Sequence, residues 1–387
     1  MSTMPTPAVL SAPPAHAQHG YTLIELMVSL ALGLLISAAA IQLFITSQTT
    51  FSLQQGSADV QDSSIFGLEL MSRHVRMANY GGGRPVMDDF TPIGGVVLTS
   101  DVTKETTRLG ATVPVSVNLQ GVRLSGAVVK DALLTRAAGV LPVGTGNEWT
   151  GASNVNIAGV GAAQSAQLVI QYRAPQDMFD CEGRLARGPR MSNQAGDPLG
   201  ETRDAAGVLM PSRMIEGDVV VERYFLRRDT TTATGEDASR ALVLACDSGR
   251  YGVNNAKQIA DNAIPLQDFG DAGQVLMTRV DHFDIRLGVE VAPDRILYHT
   301  LKDYLDIKPA VVAGVGVARP RLVSLQVAVL ARAQGKSNNQ TLEASPVYPM
   351  LGQELSMIAP DSSSGTKSGY IRKVYGTTIA LRNGRGE

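Results

Sequence analysis

Residues 26–58 contain no Asp, Glu, Lys or Arg, and Glu25 bounds this run on its N-terminal side. Its first part, residues 26–45, reads L-M-V-S-L-A-L-G-L-L-I-S-A-A-A-I-Q-L-F-I, with Ser29, Ser37 and Gln42 as weak polar interruptions. At ~1.5 Å per residue, a helix of this length matches the hydrocarbon thickness of a bilayer. It is apolar on all faces, whereas a helix at the surface of a soluble core shows a polar stripe. The small residues Gly33, Ser37, Ala38, Ala39 and Ala40 permit close approach of another helix. A carboxylate at the edge of such a segment is costly to desolvate and calls for a specific partner.

Simple readings of the segment differ in what they explain. A cleaved secretory signal has a shorter apolar region that follows positive charge and precedes an A-x-A site. Here no Lys or Arg precedes the run, and Ala15-His16-Ala17 lies before it. A plain membrane anchor accounts for the hydropathy but assigns nothing to Glu25. Locally, Thr22-Leu23-Ile24-Glu25 fits the capping-box pattern S/T-x-x-E. Glu25 then bonds the first free N–H groups of the helix, a role compatible with a second one at another stage.

The stretch G-Y-T-L-I-E-L-M-V-S-L-A-L-G-L-L, residues 20–35, resembles the class III signal of type IV prepilins. The resemblance implies that a membrane prepilin peptidase/methyltransferase cuts between Gly20 and Tyr21 and N-methylates Tyr21. It also implies that Glu25 pairs with the terminal amine of a neighbouring subunit. A buried carboxylate and a buried ammonium each offset the other's desolvation. The sequence departs from the family's usual pattern in having Tyr21 in place of Phe. Its 20-residue leader carries His16 and His19 but no Lys or Arg, and Met4 is an alternative start. Gln42 stands where many major pilins have a helix-bending proline, which favours a minor pilin.

The chain has 387 residues and a net charge of −2, a balance that argues against a general nucleic-acid surface. Cys181 and Cys246 are the two cysteines. An even pair in an exported chain is suited to a disulfide, with two buried free thiols as the other reading. No CxxC, histidine cluster or H-E-x-x-H suggests a metal, and no cofactor motif is evident.

No proline occurs between Pro14 and Pro85, so one continuous helix of about 50 residues is permitted. Its second half carries Ile65, Leu68 and Val75 near one face and Phe66, Leu70 and Met77 on an adjacent one, a broad stripe expected to pack on a sheet. Arg73, His74 and Arg76 suit its C-terminal end, and Gly81-Gly82-Gly83 with Pro85 is expected to stop it. Beyond this point strands are expected at 95–99, 113–119, 122–129, 133–137, 168–172, 219–226, 241–245, 280–287, 322–331 and 372–381. Residues 184–211 and 337–360 read as long loops, and 361–369 as a linker or hairpin tip.

Further segments resemble PilW-type minor pilins: R-M-A-N-Y-G at 76–81, D-A-L-L-T-R-A at 131–137, Q-L-V-I-Q-Y at 167–172, D-C-E-G at 180–183 and L-V-L-A-C at 242–246. Residues 322–332 and I-A-L-R-N at 379–383 extend the likeness. Many relatives carry another cysteine where Gly82 and Gly83 stand, so a second disulfide is not expected.

An enzymatic reading lacks its constellation. His74, His282 and His299 have no partner motif. Gly159-Val-Gly161 and Gly314-Val-Gly316 lack the third glycine of a dinucleotide loop. Ser364 and Lys367 match S-x-x-K without companion motifs. Asp281, Asp284, Asp303 and Asp306 follow no calcium-loop pattern and read as a solvated acidic face.

The expectation is an α+β, pilin-like chain without enzymatic activity. Residues 1–20 form the leader, 21–45 the transmembrane or filament-core half of the helix, 46–80 its amphipathic half, and 81–387 a β-rich extracytoplasmic domain. The resemblance implies a minor subunit of type IV pilus assembly, held in the bacterial inner membrane with its globular part in the periplasm before entering a filament. Implied partners are the prepilin peptidase, other minor and major pilins and the inner-membrane assembly platform. A type II secretion pseudopilin, or a membrane-anchored adhesin or ligand-binding protein, is the alternative.

Overall fold

The computed structural model describes residues 20–82, 86–89, 91, 93, 95–98, 118–119, 121–140, 144–192, 201–231, 240–252, 263–307, 311–312, 315–316, 319–336, 347–358 and 370–382. The N-terminal helix α1 is Leu23–Val75. The chain forms two compact units, 1–52 and 53–387, divided within α1.

In the first unit the helical residues are exposed except for the half-buried Thr49, and the exposed ones include Leu30, Leu34, Leu35, Ile41 and Phe44. None of the most apolar window of α1 is buried, and this helix is long and apolar enough to cross a membrane. Apolar surface on this scale calls for lipid or other helices.

The second unit is built on two antiparallel sheets. The first runs β1 (Gly95–Val96), β2 (Gln167–Arg173), β3 (Val219–Arg228), β4 (Leu242–Tyr251) and β5 (Gln274–Thr278), in chain order across the sheet although strands of other sheets intervene in sequence. Side chains alternate across a strand, so β3 sends Val220, Tyr224 and Leu226 into one core and Val219 and Val221 into another. The first core also takes Leu168, Ile170 and Tyr172 from β2, Leu244 and Cys246 from β4, and Leu68, Met71 and Val75 from α1. The 3–4 spacing of those α1 residues puts them on one helix face, which settles the helix against the sheet.

Gly67 sets how closely helix and sheet approach. A Cβ there would lie 2.1 Å from Met277 Cγ and 3.4 Å from the Leu276 carbonyl oxygen. The absence of a side chain lets α1 lie against β5.

Arg279, with φ of 58°, is the single residue joining β5 to β6 (Val280–Ala292) and turning the chain into the second sheet. That sheet also contains β7 (Arg295–His299), β8 (Leu322–Lys336) and β9 (Tyr370–Ala380), in the order β7-β6-β8-β9. Phe283, Ile285, Leu287, Leu325, Val327 and Val329 join the first core, while Ala328 and Leu330 pack with Val155, Met350 and Leu355 on the opposite face. A long N-terminal helix on antiparallel sheets is the expected α+β pilin-like architecture.

Several elements differ from expectation. The helix ends at Val75, before the glycines. Asn79 takes a φ of 68° and donates its N–H to the Gln171 carbonyl, so β2 captures the backbone that would have continued the helix. The stripe on α1 is narrower than expected: Ile65, Phe66 and Leu70 are exposed. Residues 133–137 are not a strand. A 3₁₀ turn at Asp131–Leu133 precedes an isolated bridge from Arg136 to Gln167, and the Gln167 side chain donates to the Ala132 and Leu134 carbonyls. Residues 122–129 are a short hairpin, Val122–Leu124 and Ala127–Val128, turning on Ser125 and Gly126 at positive φ.

The stretch read as a loop at 337–360 contains a hairpin, Tyr348–Met350 with Gln353–Met357. Its turn uses Leu351 and Gly352 at positive φ. Within 184–211, Leu185–Ala186 pairs with Met178–Phe179, and Arg190–Met191 with Met214–Ile215. Of the strand expected at 113–119, only 118–119 are described, as a turn. Residues 361–369, with Ser364 and Lys367, lie outside the described residues.

Candidate functional site: a capped carboxylate and a disulfide-linked polar cluster

Glu25 lies in the first turn of α1. The Thr22 backbone N–H and hydroxyl each donate to Glu25 Oε2, both at 3.0 Å. The Glu25 N–H donates in turn to Thr22 Oγ1 at 3.2 Å, and the Leu26 N–H to the Thr22 carbonyl. This reciprocal arrangement is the capping box anticipated from T-x-x-E. It holds Glu25 at the helix start, where a negative charge is favoured by the helix dipole.

Gly20 and Tyr21 precede this cap, and both are exposed. A Cβ added at Gly20 would meet nothing within 4 Å. Among the described residues, no contact calls for glycine at this position.

Cys181 and Cys246 form a disulfide with Cα atoms 6.2 Å apart. The D-C-E-G turn presents Cys181. Asp180 Oδ1 accepts from the Glu182 and Arg184 N–H groups, and Gly183 takes a φ of 77°. Beside the disulfide lies Glu222, a fully buried carboxylate on β3. Its Oε1 is 2.8 Å from His74 Nδ1 and accepts from the Tyr172 hydroxyl and the Cys181 N–H, each at 3.0 Å. Its Oε2 accepts from the Tyr224 hydroxyl at 2.7 Å.

Burial by itself disfavours a charged imidazole at His74, but the hydrogen bond and charge of Glu222, with the charge of Asp180, outweigh it and raise the pKa. Burial, reinforced by the neighbouring carboxylate, pushes the Tyr172 and Tyr224 phenols well above their usual value, so both remain donors. The cluster fastens the end of α1, β2, β3 and the disulfide turn to one acceptor. Glu222 was not singled out from the sequence: one acidic residue in V-V-V-E-R-Y-F-L carries no local sign of its three-dimensional partners.

The other residues considered for chemistry lie apart. His282 is buried, with Nδ1 2.9 Å from Ser153 Oγ and 3.1 Å from Ser165 Oγ. Burial and Arg286 lower its pKa to about 4. Asp281 and Asp284 are not on a solvated acidic face: both are buried, Asp281 against Arg332 and Arg372 and Asp284 against Arg286. Thr300 caps a short helix, its hydroxyl accepting from the Asp303 N–H and donating to the Asp303 carboxylate, and Asp306 pairs with Lys302 on the surface. Gly159 and Gly161 take positive φ around the hairpin joining Val155–Ile157 to Gly161–Ala162.

A family model described as the prokaryotic N-terminal methylation motif matches residues 15–41. No curated protein and no solved structure matches the chain. The matched region contains Gly20, Tyr21, Thr22 and Glu25 and most of the exposed apolar helix. The chain thus carries a type IV pilin-like prepilin signal, which implies processing by a prepilin peptidase and association with pilus machinery.

Proposed function

We propose that this protein is a minor subunit of a type IV pilus, of the PilW type, acting structurally in filament assembly or initiation. The prepilin peptidase cuts between Gly20 and Tyr21 and methylates the new amine. The subunit waits in the inner membrane with its globular unit in the periplasm, then passes from lipid into a filament of sister helices. Glu25 is capped by Thr22 in the isolated chain and takes the terminal amine of a neighbouring subunit during assembly. The pairing relieves the cost of moving both charges out of water. The minor-subunit assignment draws on Gln42 and the downstream segments that resemble PilW-type proteins.

The observation that carries this reading is the exposed apolar helix bearing one capped carboxylate, immediately after an uncovered Gly20–Tyr21 junction. The test is mass spectrometry of the N-terminus in whole cells and sheared filaments. The expected mature terminus is N-methyl-Tyr21, found in both fractions. An intact leader in cells producing filaments, or filaments that lack the chain and form unchanged without it, would overturn the proposal.

A further inference from the structure

We propose that Arg73, Arg76 and Arg382 form a socket for an acidic segment of a different filament subunit, seated against the apolar outer face of α1. The socket rests on the filament role proposed above but adds a site and the chemistry of its occupant. An open pocket of ≈530 Å³ is lined by Glu69, Arg73, Arg76, Met77, Tyr80 and Arg382. Three arginines and one acidic residue thus line it, the arginines coming from the end of α1 and from just beyond β9.

These arginines differ from others in the same unit. Arg136, Arg190, Arg223, Arg279, Arg286 and Arg372 each hold a carboxylate. Among the described residues, the side chains of Arg73, Arg76 and Arg382 have no hydrogen-bond or ion-pair partner. Clustered guanidiniums repel one another, and their planar forks suit bidentate carboxylates. The local charge is thereby complementary to an acidic occupant.

The surroundings favour a protein segment over a small anion or a lipid headgroup. Met77 and Tyr80 give the pocket an apolar wall. Phe66 and Leu70 precede Glu69 and Arg73 at helical spacing, and Phe66 is 73% exposed. Exposed aromatic and aliphatic side chains beside arginines are the composition of a protein–protein hot spot. A hydrated inorganic ion makes no use of this apolar stripe, whereas an amphipathic acidic segment covers it and brings carboxylates to the guanidiniums.

The test places a photocrosslinking p-benzoylphenylalanine at Tyr80 of the full chain, in cells assembling filaments. The expected product joins it to another protein bearing an N-terminal methylation motif, through a peptide containing Asp or Glu. R73E/R76E/R382E is expected to cut the yield at least tenfold, and Lys substitutions at the partner's mapped carboxylates to restore it. Unchanged thermal unfolding of the triple variant checks folding; R73Q/R76Q/R382Q, expected to lower the yield at least threefold, serves if it does not fold. A yield unaffected by the arginine variants, or a product containing only a second copy or a lipid, would overturn the socket. If the chain is nevertheless present in sheared filaments, that result leaves the filament role standing. Absence of the chain from filaments would overturn both.

Discussion

His74 Nδ1 lies 2.8 Å from Glu222 Oε1, joining the last turn of α1 to the middle of β3 in a buried ion pair. The raised His74 pKa is a statement about stability. A group with a raised folded-state pKa contributes fully below its unfolded value of about 6.5, and the contribution is lost as pH rises through the folded value. Chemical denaturation is therefore expected to show stability falling from below pH 6.5 toward alkaline pH. His74→Gln should flatten that component and lower stability at acidic pH by about 1–3 kcal/mol, the range for leaving a buried polar group under-satisfied. An unchanged pH slope in the variant would remove His74 from this role.

The disulfide ties the turn carrying Cys181 to β4 across a sequence separation of 65. Closing a loop of that size stabilises by about 4 kcal/mol in the chain-entropy account. Alkylation of unreduced, denatured protein should label neither cysteine, while reduction should expose both. Cys181→Ser with Cys246→Ser is expected to lower the midpoint of thermal unfolding. Full labelling without reductant would contradict the bridge.

Thr22 and Glu25 share the capping box but differ in the role proposed during assembly. Thr22→Ala removes part of the cap, a loss of about 1 kcal/mol to the helix start, and should leave filament incorporation largely intact. Glu25→Gln keeps an acceptor of similar shape but loses the charge. Leader cleavage should persist while incorporation falls at least tenfold, measured by immunoblotting of sheared filaments. Equal incorporation of Glu25→Gln and wild type would reduce Glu25 to a capping residue.

Gly67 and Met277 meet where α1 crosses β5. Gly67→Val overfills that contact and is expected to destabilise the globular unit by about 1–3 kcal/mol, the usual cost of overpacking. Met277→Ala frees space and should recover part of the loss in the double variant, read by denaturant midpoints. Strictly additive effects would show that the two positions do not share this space.

The α+β architecture, the membrane-length helix and the capping box were legible in sequence because each depends on local pattern: charge-free length, spacing along one helix, and Thr three residues before Glu. The long strands around 168–172, 219–226, 280–287 and 322–331 were also visible, since alternating or continuous apolar runs mark sheet residues. The 348–357 hairpin was not. Leu351 and Gly352 make its turn without an Asn-Gly or Asp-Gly signal, and a leucine at positive φ is unusual.

Sequence alone thus determined that the chain carries a prepilin-type signal and a helix long and apolar enough to cross a membrane, because those properties reside in consecutive residues. Tertiary structure decided the end of the helix at Val75, where β2 captures Asn79, and the assembly of His74, Tyr172, Glu222 and Cys181 around one buried carboxylate. It also decided which half of the expected helix stripe is buried, leaving Phe66 and Leu70 exposed beside the arginines. Those outcomes depend on residues far apart along the chain, brought together by packing that no local pattern records.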